Sequence, residues 1–371
     1  MDVVDRARRV SVTASEAADE AEHLRRLAPV TVAALAEAGL LTLCLPSAYG
    51  GPGVSPVAMI DAVAEIARGD GAAGWCAAIA STTSSMAAFL QPDVAAAVYP
   101  SPATATGGVF APNGRGVRVD DGFSVTGRWQ WGSGTQHCAW IVGGAMCDDG
   151  SQRVCFFPAA DVQFHDTWHS VGLRGTGSLD FSVEGARVTD EFTVRPGAAA
   201  PHVDEPLARF PNFTLLALGI AAVAVGVARR ALEELAMVAA AKTPQFSSRT
   251  LANSGFAQTE FARAVALWRS ARAYLRHEVG AAWETASSGG HVTVDARVAM
   301  RLAAAHAVSS CVTVTDTAFK IAGGTAVYET SVLGRCLRDV HVMTQHIMVA
   351  PKLNETLGKH LLGAEFDASM I

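Results

Sequence analysis

The chain lacks an apolar leader with a small-residue cleavage site; it opens on the charged stretch Met1-Asp-Val-Val-Asp-Arg-Ala-Arg-Arg9. Secretion is therefore not expected, and the cytoplasm is the expected compartment. Basic excess is also absent. The formal net charge is −6 over 371 residues, which argues against nucleic acid or an anionic membrane as the main partner. The longest apolar segment, Leu215 to Ala228, falls short of the roughly 20 residues a bilayer span needs and is diluted by Gly219 and Gly226, so a buried helix is expected. The seven cysteines never form Cys-x-x-Cys, which excludes the usual disulfide framework and zinc ribbon and leaves reduced core thiols. No Gly-x-Gly-x-x-Gly follows a strand and opens a helix, no phosphate-binding P-loop is present, and no Gly-x-Ser-x-Gly elbow occurs. A nicotinamide site of the Rossmann kind and a serine hydrolase are both disfavoured.

What is present is concentrated in Gly127-Arg-Trp-Gln-Trp-Gly-Ser-Gly-Thr-Gln-His-Cys-Ala-Trp140, which holds three of the seven tryptophans. Trp129 and Trp131 are two apart, so on a strand both are expected on one face. The Gly-Ser-Gly turn that follows sets the Ser133 hydroxyl and backbone N–H groups beside a flat aromatic surface, and glycine permits close approach. This suits a planar heteroaromatic ligand with a polar edge; a hairpin with two core tryptophans is the alternative.

Helical periodicity runs from Val3 to about Phe89, with a clear start at Ser55 (N-cap) and Pro56, and Gly69 expected just past the end of that helix. Short β-type runs separated by glycine turns follow from about Gly107 to Val194, namely 116–119, 123–126, 140–142, 154–157 and 179–183. Arg195 to Pro211 reads as a linker. The rest is helical, with helices expected at about 213–241, 250–285, 295–321 and 331–350 and an apolar stripe through Phe261, Ala264, Trp268, Ala271 and Leu275. The expected fold class is α+β, in three domains: an all-α domain over 1–106, a β domain of barrel or sandwich type over 107–205, and a four-helix bundle over 206–371.

His165 and His169 have the i, i+4 spacing of a metal pair but lie in the β region without a third ligand, so a structural role is expected and no metal site is assigned. His341 and His346 fall on the last long predicted helix, about 140° apart around its axis, so they cannot share a face and one of them at most looks into a pocket.

The order of helical, β and helical domains resembles the acyl-CoA dehydrogenase fold over nearly the whole chain. The carriers are Leu45-Pro-x-x-Tyr-Gly-Gly-x-Gly53, Trp131-x-Ser133-Gly, Gly172-Leu-Arg-Gly-Thr-Gly-Ser178, Gln245-Phe246, Ile321-Ala-Gly-Gly324 and Arg338-Asp339. Within that fold the chain is similar to the flavin-dependent two-component monooxygenases, through Ala111-Pro-Asn-Gly-Arg115, Gly127 to Gly134 with His137 and Trp140, Asp166-Thr-Trp168, and Arg338-Asp-Val-His341 leading to His346. The glutamate base of a dehydrogenase is missing: Ile347, Leu216 and Ala217 stand where it would be.

The resemblance implies a flavin C4a-hydroperoxide that hydroxylates or N-oxidises a small aromatic, polycyclic or amino-sugar substrate. It implies Ser133 near the flavin N5, Trp131 packed by the isoalloxazine, and His346 with an ordinary histidine pKa as the group that deprotonates or orients substrate. Arg174 and Ser178 are implied at flavin phosphate or ribityl oxygens, Phe246, Gly323 and Gly324 at the cofactor's far end, and Trp75, His137 and Trp168 in the substrate pocket. The dehydrogenase residues that hold the adenine half of FAD are replaced here by Thr243 and Lys320, which favours reduced FMN with FAD as the alternative. With no nicotinamide site, a separate NAD(P)H:flavin reductase is the implied partner, and a homotetramer the implied assembly. The competing readings are an FAD-dependent acyl-CoA dehydrogenase and a catalytically silent binding partner.

Overall fold

Six helices begin the chain: α1 (Val3–Glu16), α2 (Ala18–Leu24), α3 (Pro29–Glu37), α4 (Pro56–Gly69), α5 (Gly71–Ser84) and α6 (Pro92–Val98). The computed structural model describes residues 2–368 and residue 371. Ser55 caps α4 as its sequence requires, its hydroxyl accepting from the Ala58 N–H at 3.2 Å, with Pro56 at the first position. The other end differs from expectation. Gly69 is the last residue of α4, and Asp70 both ends that helix and caps α5 by accepting from the Ala73 N–H at 3.0 Å. Glycine is needed at 69 for space, because a Cβ there would stand 2.1 Å from the Ser11 carbonyl oxygen of α1.

The strands are β1 (Thr106–Val119), β2 (Gly122–Gly132), β3 (Trp140–Cys147), β4 (Gln152–Pro158), β5 (Gln163–His165), β6 (Leu179–Thr189) and β7 (Thr193–Val194). They form one seven-stranded sheet in the order β5-β6-β2-β1-β3-β4-β7. It is mixed, since β1 runs antiparallel to β2 but parallel to β3. All five expected runs lie in strands. The first half of β1 carries no alternating signal in sequence, because Gly107, Gly108 and Gly114 break it.

Trp129 is the centre of the sheet core. Its ring stacks on Phe181 at 5.1 Å, tilts against Phe157 at 5.8 Å, and its indole N–H donates to the Gly144 carbonyl at 2.8 Å. Three glycines make room for it: a Cβ at Gly114, Gly127 or Gly143 would come within 2.6, 2.8 or 2.7 Å of the ring. This is why an aromatic this large sits among so many glycines in sequence.

The remaining helices are α7 (Asn212–Ala241), α8 (Gly255–Ser287), α9 (Val294–Ala322), α10 (Val332–Met343) and α11 (Leu353–Leu361). α7 packs on α4 and α5 on one side and on α9 and α10 on the other, so it joins the two helical parts through one apolar core. Its 30 residues match the helix expected at 213–241 within one residue; by length and composition it could cross a bilayer, but most of it is buried against its neighbours. Its small residues serve that contact: a Cβ at Gly226 would lie 2.3 Å from the Ala64 carbonyl oxygen of α4. The last long helix is shorter than expected. α10 ends at Met343, and residues 344 to 352 form turns, which removes His346 from the helix.

Candidate active site

The end of β2 decides where the tryptophans point. Register with β6 shifts between Trp129 and Gly132, and Trp131 adopts a left-handed backbone with φ +67°. The bulge turns Trp131 out of the alternation. Trp129 is fully buried whereas Trp131 is 67% exposed, so the expectation that both share one face does not hold. A left-handed conformation at a bulky residue costs about 1–3 kcal/mol, strain of the kind that collects at functional sites.

Directly after the bulge, Ser133 is held by a Ser133 N–H to Trp131 carbonyl bond at 2.9 Å, and the Gly134 N–H reaches across to the Thr176 carbonyl at 2.9 Å. Ser133 is 7% exposed, and its hydroxyl makes two side-chain contacts. It accepts from the Trp75 indole N–H of α5 at 3.0 Å and meets the Ser178 hydroxyl at 2.7 Å. Ser178 in turn meets Thr176 at 2.6 Å, whose hydroxyl donates to the Leu173 carbonyl at 2.8 Å. Ser178 is thereby spent inside the protein and buried, so it is not free to hold a phosphate; its hydroxyl positions Ser133 instead.

Leu173 is itself left-handed, with φ +50°, and its N–H donates to the Asp339 carboxylate at 2.6 Å. Behind it lies an ionic cluster in which the buried Arg335 contacts Glu22 and the exposed Asp19, and Arg338 contacts Glu22. Burial pushes the Asp339 carboxyl up to about 7 and that of Asp70 up to about 6. A cavity of about 120 Å³ lies against Asp70, Arg335 and Asp339, away from Ser133.

His346 packs its ring edge-on against Trp75, with centroids 5.7 Å apart. The Met348 N–H donates to His346 Nδ1 at 3.3 Å, so the neutral ring carries its proton on Nε2. Burial, assisted by the nearby Arg301 charge, pushes this histidine down to about 4, in place of the unperturbed value expected from sequence. His137 is likewise pushed down to about 4 by burial, and its Nε2 is buried without a hydrogen-bond partner among the described residues. His341 is elsewhere: it is exposed and pairs with Asp316 at 2.9 Å. His165 bonds Ser182 at 2.8 Å while His169 lies against Arg25, so the two rings serve different partners.

The structure thus brings Trp75, Ser133, Ser178 and His346 together, with Trp131 and His137 on the same turn as Ser133. Trp168 stands one step removed, its indole N–H donating to the Leu173 carbonyl at 3.1 Å. Arg174 is exposed at the start of the turn Arg174–Thr176. Phe246, Gly323 and Gly324 form a separate surface group. Phe246 is fully exposed with φ +64°, and Lys242, which precedes its loop, donates to the Ala322 carbonyl beside Gly323 at 2.6 Å. Two residues that support Ser133, Thr176 and Leu173, were not singled out from sequence. Thr176 sits in the quoted glycine-rich motif, but the left-handed turn at Leu173 has no sequence signature.

The donor set fits a flavin. An exposed indole, a buried hydroxyl at its foot and an unpartnered imidazole nitrogen on one turn match a planar ring with polar edge atoms. Family models agree: the acyl-CoA dehydrogenase N-terminal domain matches residues 2–98 and its C-terminal domain residues 218–351. An indole-3-acetate monooxygenase of Pseudomonas putida is 31% identical over 351 residues, covering 93% of this chain and 90% of that protein. The oxygenase subunit HsaA of a flavin-dependent monooxygenase from Rhodococcus jostii is 29% identical, covering 92% of each. The crystal structure of a 3-HSA hydroxylase from Rhodococcus superposes with a TM-score of 0.93 at 27% identity, covering 100% of this chain and 99% of that one. The chain therefore belongs to the acyl-CoA dehydrogenase superfamily and, within it, to the flavin-dependent monooxygenases.

Proposed function

We propose that this protein is the oxygenase component of a two-component monooxygenase that takes reduced FMN from a separate NAD(P)H:flavin reductase and hydroxylates a small aromatic or polycyclic substrate. The observation that carries this reading is the Trp75 indole held between the Ser133 hydroxyl at 3.0 Å and the His346 ring at 5.7 Å. The indole thus touches both the proposed cofactor contact and the proposed substrate contact. When bound beside Ser133 and Trp131, reduced flavin would supply the oxygen activation. The protein's part is to bind the ring, exclude water and orient the acceptor.

His346 is best suited to orientation. Its lone pair is engaged by the Met348 N–H, so it offers Nε2–H to a substrate oxygen and stays neutral at physiological pH. Aromatic substrates are favoured over amino sugars because two relatives, 31% and 29% identical, are named as indole-3-acetate monooxygenases. Acyl-CoA dehydrogenation remains disfavoured, since the turn carrying His346 and Ile347 presents no carboxylate base at those positions. Phe246, Val327 and Tyr328 are large, apolar and exposed, which supports a homotetramer in which such side chains are covered. Seven buried free thiols suit a reducing cytoplasm.

The test is to mix photoreduced FMN and protein with oxygenated buffer in a stopped-flow instrument. A persistent absorbance band near about 380 nm is expected. Immediate reoxidation without that band, together with anaerobic bleaching of bound flavin by an acyl-CoA, would favour the dehydrogenase.

A further inference from the structure

Three short oxygen–oxygen contacts run inward from Ser133: to Ser178 at 2.7 Å, from Ser178 to Thr176 at 2.6 Å, and from Thr176 to the Leu173 carbonyl at 2.8 Å. Oxygens this close must share a proton, or their lone pairs repel. Three hydroxyls supply three protons, and the Leu173 carbonyl has none to give. Only one arrangement fills every contact: Thr176 donates to Leu173, Ser178 to Thr176, and Ser133 to Ser178. The Trp75 indole, a donor only, occupies one lone pair of Ser133 at 3.0 Å.

We infer that this chain of hydroxyls makes Ser133 a hydrogen-bond acceptor toward its ligand and so selects the reduced, N–H-bearing flavin over the oxidised one. Ser133 has no proton left to offer, and one lone pair remains free. A reduced isoalloxazine carries a hydrogen on N5, where the oxidised ring carries a bare nitrogen. The first pairs with an acceptor; the second meets it lone pair to lone pair. Thr176 and Ser178 act as positioning residues, and the Leu173 carbonyl, oriented by the Leu173 N–H bond to Asp339 at 2.6 Å, fixes the direction of the chain. The inference rests on the flavin reading proposed above, and it gives a protein that meets free flavin in both redox states a means of rejecting the oxidised product.

The experiment is anaerobic equilibrium titration of the full-length protein with reduced and with oxidised FMN, comparing wild type, Thr176→Val, Ser178→Ala and Ser178→Thr. Thr176→Val is nearly isosteric and two hydroxyls away from the ligand. It frees the protons to reverse, so Ser133 can donate outward. Oxidised FMN is then expected to bind about tenfold tighter with reduced FMN little changed, the worth of one hydrogen bond. The same change appears as a fall of about 30 mV in the midpoint potential of bound flavin, the two-electron equivalent of tenfold. Ser178→Ala should act alike, and Ser178→Thr should restore the wild-type preference. An unchanged ratio of the two affinities in folded Thr176→Val and Ser178→Ala overturns the inference. Should the variants not fold, oxidised 5-deaza-FMN, which has C–H in place of the bare N5, must bind wild type more tightly than oxidised FMN does; equal binding is equally fatal. Failure of wild type to bind FMN in either redox state would instead remove the flavin reading itself.

Discussion

His346 carries two consequences of its surroundings. With its pKa held at about 4 by burial and by Arg301, its imidazole is neutral throughout the range in which the enzyme works. Product formation per bound reduced flavin should therefore show no inflection due to His346 near the ordinary histidine value of about 6.5; a break there in the pH–rate profile that disappears in His346→Gln shows His346 titrating normally and disproves the depressed value. The second consequence is for stability. His137 and His346, depressed to about 4, bind fewer protons folded than unfolded, so their contribution is lost as pH falls from 6.5 toward 4. Asp70 and Asp339, raised to about 6 and about 7, do the opposite and lose their contribution as pH rises through those values. The two pairs oppose each other across the same window. Replacing one histidine unbalances them: His346→Gln should gain melting temperature relative to wild type as pH is lowered from 6.5 toward 4, read by calorimetry at several pH values. A constant difference between the two proteins would contradict the assigned pKa.

Among the elements, β2 depends on the glycine cradle around Trp129. Gly143→Ala inserts a methyl group 2.7 Å from the indole, closer than any real contact. It should cost about 1–3 kcal/mol of stability, the usual range for overpacking, measured by urea unfolding. The α4 cap makes a milder comparison: Ser55→Ala removes one hydrogen bond at 3.2 Å to the Ala58 N–H and should cost about 1 kcal/mol. Equal losses would mean that the cradle relaxes around the extra atom. These two sites also differ in how far sequence revealed them. The Ser-Pro start of α4 is a local signal, because the cap and its acceptor lie three residues apart. The cradle draws on Gly114, Gly127 and Gly143 from three strands, and no local pattern joins them. For the same reason the shared face expected for Trp129 and Trp131 failed: strand alternation is local, but the bulge that cancels it answers to pairing with β6, some fifty residues further on.

For the whole molecule, Phe246, Val327 and Tyr328 are among the large apolar side chains that the single subunit leaves exposed. If they are covered in a homotetramer that also completes the cofactor site, Phe246→Asp should lower the sedimenting mass and weaken reduced FMN binding together, while leaving the melting of the secondary structure in place. A variant that remains tetrameric would place the subunit contact elsewhere. The ionic links of the helical parts, such as Arg229 of α7 to Glu65 of α4 at 2.8 Å, hold the subunit together independently of that surface.

By itself the sequence determined the class of each segment and the family, because helix caps, strand runs and glycine-rich motifs are short-range patterns that survive without knowledge of the fold. It also placed Ser133, Trp75 and His346 among the candidates through family motifs. The tertiary structure alone decided what each of them can do. Trp131 was turned outward by a register shift, His346 left its helix and lost its normal pKa through burial, and Ser178 was tied into the hydrogen-bond chain behind Ser133. Each of these outcomes depends on which groups meet across distant segments and on how much water is excluded there. Burial sets the charge of an imidazole, and a neighbour's proton sets the polarity of a hydroxyl; neither quantity is written in the residue that displays it.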